Sequence, residues 1–100
     1  MVRNTDYEAV AASQTDQILG PVGRTGDVLE RLIVSVNVLG AGGVCSIKDG
    51  DGAAIPITSA TTPAGVYTVL LGALANRPTT PGWKVTTGAS VTALAVGRFT

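Results

Sequence analysis

From residue 28 to residue 38 the chain reads VLERLIVSVNV, and Leu32, Val34, Val36 and Val38 alternate there with Arg31, Ile33, Ser35 and Asn37. A period of two built largely on β-branched residues describes a strand with one face in a core. Shorter runs at 44–48, 53–58, 66–71, 83–86 and 91–99 repeat the theme, divided by Gly, Pro, Asp and Thr. Weaker strand patterns occupy 8–13 and 17–19. Spacing of this kind suits sandwiches and barrels, and no segment has a helical pattern.

Turn chemistry links the runs. Residues 20–27 hold three glycines and Pro21 and read as a loop, as do 40–43, 59–65 and 73–82. Asp49-Gly50 between two apolar runs predicts a tight β-hairpin. Pro56 cannot donate to a ladder, so its strand is an edge or its position a bulge. The runs at 83–86 and 91–99 are expected to pair as a final hairpin across 87–90.

The expected core is Leu32, Val34, Val36, Val38, Ile47, Val69 and Trp83. It is thin, because the chain is 45% hydrophobic but only four residues are aromatic. At roughly 25 cal/mol per Å² of buried apolar surface, small side chains leave a monomer little margin over chain entropy. Disulfides, metals or oligomerisation commonly make up the difference. Cys45 is the only cysteine and there is no histidine, so neither an intrachain disulfide nor a structural zinc site can form. Association with copies or with a larger body remains, beside a self-sufficient monomeric sandwich.

Seven acidic and seven basic residues balance to zero, which gives no basic field for nucleic acid. All seven acids fall in the first 51 residues, and 52–76 carries no charge. This asymmetry describes two complementary surfaces unless folding interleaves the halves. The opening MVRNTDYEAVAAS has no apolar h-region, so no signal peptide is read there. No apolar run approaches the length of a membrane span, and no membrane partner is expected.

Reactive chemistry is sparse. Asp49-Gly50-Asp51-Gly52 begins like a calcium loop, but the twelfth position from Asp49 is Ala60, where a bidentate Glu is needed. The glycine-rich loops carry no P-loop Lys-Ser/Thr pair. Nucleophilic catalysis would lack a histidine base, and Cys45 shares the face of Ile47, as an inert core thiol does. Asp27 and Glu30 are close in sequence but sit at a loop-to-strand junction, an ordinary solvated place for charge. Trp83, Tyr67 and Tyr7 could stack on sugar rings, although scattered aromatics more often complete a core. No enzyme activity, cofactor or metal is expected.

Several segments together carry a resemblance. Ser13-Gln14-Thr15-Asp16-Gln17-Ile18-Leu19-Gly20 leads through a glycine loop to Gly26-Asp27-Val28-Leu29-Glu30-Arg31-Leu32, followed by Ile47-Lys48-Asp49-Gly50. Trp83-Lys84-Val85-Thr86-Thr87-Gly88 and Ala95-Val96-Gly97-Arg98-Phe99 complete the order. Over residues 13–99 this resembles the small all-β head decoration, or cement, proteins of tailed bacteriophages. The resemblance implies a structural protein on the outer capsid surface of the virion, made in the host cytoplasm. It also implies binding to the major capsid protein, usually as a homotrimer, to hold capsomers together.

The expected architecture is one small β-sandwich or jelly-roll-like domain of about six to eight strands over 13–100, preceded by a flexible N-terminal arm over 1–12. Arg3, Tyr7 and Val10 of that arm are the candidate contacts to capsid or subunit. A head-fibre or tail receptor-binding module, or a carbohydrate-binding β module, is the alternative function.

Overall fold

The computed structural model describes residues 6–20, 26–75 and 82–99. Among these residues eight strands form: β1 (Asp6–Val10), β2 (Gln17–Ile18), β3 (Val28–Val36), β4 (Cys45–Asp49), β5 (Ile55–Thr58), β6 (Gly65–Ala75), β7 (Trp83–Thr87) and β8 (Val91–Arg98). The one helical element among the described residues is a 3-10 turn at Ala41–Gly43. Sheet I has the order β1-β8-β3-β6 and sheet II the order β2-β7-β4-β5, with every pairing antiparallel.

The alternation in β3 sends Leu32, Val34 and Val36 inward from sheet I, beside Val91, Ala93 and Ala95 of β8. Cys45, Ile47, Trp83 and Val85 of sheet II meet them in a single core. The Trp83 indole N–H donates to the Asp27 carbonyl at 3.0 Å, which satisfies its one polar atom inside the apolar layer. At Glu30 the pleat changes phase. Leu29 pairs with Gly97 and Arg31 with Val96, so β3 holds one residue more than β8 there. This bulge is why Leu29 and Leu32 both face inward, which strict alternation forbids. Gly97 is required opposite it, because a Cβ would collide with the Val28 carbonyl oxygen.

Several expectations are corrected. Strand β3 ends at Val36: the Asn37 N–H still donates to the Ser90 carbonyl opposite at 2.8 Å, but the Ser90 N–H donates to the Gly42 carbonyl at 2.9 Å instead of returning to Asn37. Val38, expected in the core, is consequently 61% exposed. Val69 is only partly buried, on the edge strand β6, although it packs against the core. Strands β7 and β8 do not form a hairpin: they lie in different sheets, and the chain crosses the sandwich between them. Strands β4 and β5 do pair, but their last partners are Ile47 and Ile55, so the Asp49–Gly52 turn sits inside a longer loop. Pro56 meets both of its expectations, on an edge strand and next to a register shift.

Of the segment read as an arm, residues 1–5 lie outside the described residues, and residues 6–10 pair along β8 as β1. Val10 is 1% exposed in the core. Glu8 reaches across to sheet II, accepting from Gln17 Nε2 at 2.9 Å and from the Gly20 N–H at 2.7 Å. Deleting residues 1–10 should therefore lower the thermal midpoint markedly, as read by circular dichroism, where a detached tail would leave it unchanged. Val36→Asp, which buries an unpaired carboxylate, should cost on the order of 4 kcal/mol in urea unfolding.

Candidate functional site

The face of sheet I turned away from the core follows from the same alternation. Register across the sheet builds three rows: Tyr7, Val96, Arg31 and Leu70; then Ala9, Leu94, Ile33 and Thr68; then Thr92, Ser35 and Val66. Antiparallel sheets that cover a core on one side ordinarily carry polar residues on the other. Here Arg31 is the only charge in the three rows. Tyr7 is 75% exposed, Val66 69% and Leu70 77%. A shallow depression of about 390 Å³ opens over β1, β8 and β3, lined mainly by Ala9, Ala11, Ile33, Ser35, Thr92 and Leu94.

Sheet II is different. Its outer rows pair Ser46 with Thr86 and Lys48 with Lys84. Two lysines directly opposite repel one another, and each finds an acid from elsewhere. Lys48 Nζ lies 3.3 Å from Asp16 Oδ2, and Lys84 Nζ lies 3.9 Å from the well-exposed Asp51. The second contact is of the kind that adds little stability. Of these two pairs only Asp51 with Lys84 joins the acid-bearing first half to the later bases, so folding cancels little of the charge asymmetry of the sequence.

Asp16 is the best-held of these acids. Its backbone is left-handed at φ 50°, a conformation Asp tolerates better than most residues. The Thr86 hydroxyl donates to its carboxylate at 3.1 Å and accepts from its N–H at 2.9 Å. The Thr86 hydroxyl first, and Lys48 second, hold the Asp16 carboxyl below its usual 3.8.

The expected contact residues separate. Arg3 lies outside the described residues. Tyr7 stands on the apolar face, while Val10 points into the chain's own core. Trp83 is buried, and Tyr67 lies on the edge strand opposite to that of Tyr7, its hydroxyl donating to the Pro63 carbonyl at 2.7 Å. The three aromatics therefore build no common platform. Asp27, expected to be solvated, is 5% exposed. Cys45 is buried, as expected for a core thiol, and burial pushes its pKa up to about 11. No cluster of three or more His, Cys, Asp or Glu among the described residues could hold a metal ion.

Sequence reading passed over Ile33, Val66, Leu70, Leu94 and Val96 as members of one surface. The available signal was Ile33 itself, an apolar residue on the solvent phase of the best-patterned strand. Compared with known protein-family models and with curated proteins, the chain gives no match.

Two titrations check this chemistry. Asp16 contributes stability above its unfolded value, and that contribution should be lost as pH falls through and below 3.8. Asp16→Asn should flatten this acid limb in denaturation curves taken at several pH values. Cys45 should react with a maleimide at neutral pH only as fast as the chain unfolds, since both burial and the neutral thiol oppose attack.

Proposed function

We propose that this protein is a structural cement that lies on the outer surface of a tailed-phage head and bridges neighbouring copies of the major capsid protein. The observation that carries the reading is the apolar outer face of sheet I. A free-standing sandwich gains little from half-buried Leu94, Ile33 and Val96 or from exposed Tyr7, Val66 and Leu70 on this face, whereas a broad protein surface would cover them. A four-stranded face about 4.8 Å per strand in width suits a wide, shallow contact better than a small ligand.

The strand order supports the same reading. Numbered along the chain it runs 1-8-3-6 over 2-7-4-5, which supports describing the sandwich as a jelly roll, an arrangement used in viral capsid and lectin domains. That is an analogy of fold and adds weight only beside the surface. The resemblance of residues 13–99 to head decoration proteins points the same way, including self-association as a trimer. A glycan-binding module is favoured less, because the aromatic side chains that would stack on sugars do not converge.

Ile33→Lys and Leu94→Lys test the assignment, each placing a charge at the centre of the face while leaving the core intact. Occupancy on purified capsids lacking the protein should fall at least tenfold for each, with unchanged circular dichroism. Wild-type occupancy by both variants would remove the face from the interface.

A further inference from the structure

We infer that copies of this chain join edge to edge, strand β6 of one copy pairing with strand β1 of the next, so that sheet I continues across the joint. The joint serves the cement role proposed above and rests on that reading for its setting, while its geometry comes from the two edges themselves.

Among the described residues the sandwich has four edge strands. Two are blunted in the ways proteins use against stray pairing: β2 is only Gln17–Ile18, and β5 carries Pro56 beside a register shift. The edges of sheet I are different. Strand β6 pairs with β3 on one side only, and its sequence GVYTVLLGALA holds no charge and no proline. Strand β1 pairs with β8 on one side only. Its sequence DYEAV holds two acids: Asp6 is at its first position, and the Glu8 carboxylate is turned across the sandwich onto Gln17 and the Gly20 N–H, which leaves the stretch from Tyr7 to Val10 without a free charge.

Direction and side chains fit as well. In a four-stranded antiparallel sheet the two edge strands run in opposite senses. Rotating one copy about an axis parallel to the strands therefore brings its β1 antiparallel to the β6 of its neighbour. Tyr7 on one edge and Val66 and Leu70 on the other belong to the same outer face. Below them, on the edges of sheet II, Ile18 is 45% and Ile55 43% exposed. The two flanks thus hold most of the large exposed apolar side chains among the described residues. A twofold joint of β6 with β6 would leave β1 unpaired and Tyr7 in water, whereas the head-to-tail joint covers both flanks.

Area favours closure. Five paired residues span about 17 Å, and two sheets 10 Å apart with their side chains are about 20 Å deep, or roughly 350 Å² per flank. One joint, about 350 Å² per partner against the roughly 800 Å² of standard interfaces, is thin, but a closed ring uses both flanks of every copy, so a copy leaves only by breaking two joints at once.

Cysteine pairs test the joint, and buried Cys45 does not compete with them. Tyr7→Cys is combined in turn with Val66→Cys, Thr68→Cys and Leu70→Cys in the full chain, and each double variant is oxidised at micromolar concentration. One of the three should give a covalently closed oligomer on denaturing gels, and the corresponding single variants should give none. Thr68→Lys, on the open edge, should convert the oligomer to monomer in light scattering with unchanged circular dichroism. A monomeric wild type, single β6 variants that cross-link to one another, or an oligomer that none of the three pairs captures would each overturn the inference. Capsid occupancy is measured separately: rings that ignore capsids sink the cement reading alone, and capsid-bound copies without the β6–β1 cross-link sink this joint alone.

Discussion

The backbone around Thr87 and Gly88 is the constraint on which the rest of the sandwich depends. The β1–β2, β3–β4 and β7–β8 connections all cross between the sheets at one end, and they are bonded to one another there. The Thr87 hydroxyl donates to the Ala11 carbonyl at 2.6 Å and accepts from the Gln14 N–H at 3.0 Å. The Thr87 N–H donates to the Gln14 carbonyl and the Gly88 N–H to the Val44 carbonyl, each at 2.8 Å. Ser13 N–H reaches the Gly88 carbonyl, and Ser90 N–H the Gly42 carbonyl. A fourth crossing, β5–β6, is tied in where the buried Thr58 hydroxyl donates to the Gly43 carbonyl at 2.6 Å. Backbone groups that leave a sheet inside a protein need partners, and here each arch supplies them to the next.

That mutual bonding has a steric condition. A Cβ at Gly88 would collide with the Gly42 carbonyl oxygen, so the arches approach this closely only because the residue is glycine. Close approach is also what a thin core demands. Val, Ala and Cys fill much of the space between the sheets, and such side chains reach each other only when the sheets are drawn together at their ends. The glycine contact and the small-residue core are two aspects of one geometry.

The two outer faces then diverge for reasons that packing does not dictate. Sheet II presents Ser46, Lys48, Lys84 and Thr86, with Asp16 and Asp51 beside the lysines, and is an ordinary wet surface. Sheet I presents Leu94, Ile33, Val96 and Leu70 with Arg31 among them and Arg98 one step further along β8. The uncharged stretch after Asp51 forms β5 and β6, which edge the two sheets. One wet face, one apolar face and an uncharged flank are the physical content of the proposed cement reading.

Much of this was legible before folding. The phase of Leu32, Val34 and Val36, the inward Cys45 and Ile47, the edge position of Pro56 and the pairing of the strands around Asp49-Gly50 all follow from periods and turn residues within a few positions of each other. What they share is locality: alternation decides which side chains go together on a face, and a proline or glycine decides where a ladder can run. Sequence did not decide which strands become neighbours. The pattern of 83–87 and 91–98 serves a hairpin or an arch equally, because both put the same residues inward, and only the bonds from Gly88 and Ser90 to Val44 and Gly42 select the arch. The same limit hid the apolar face and the role of β1. Ile33, Leu94 and Leu70 are remote in sequence, and their common surface exists only once register sets them in adjoining rows. The segment over 6–10 carries only part of a weak strand pattern and reads alone as an arm toward another protein, and it becomes a strand of its own sandwich because β8 offers an open edge and the core a place for Val10.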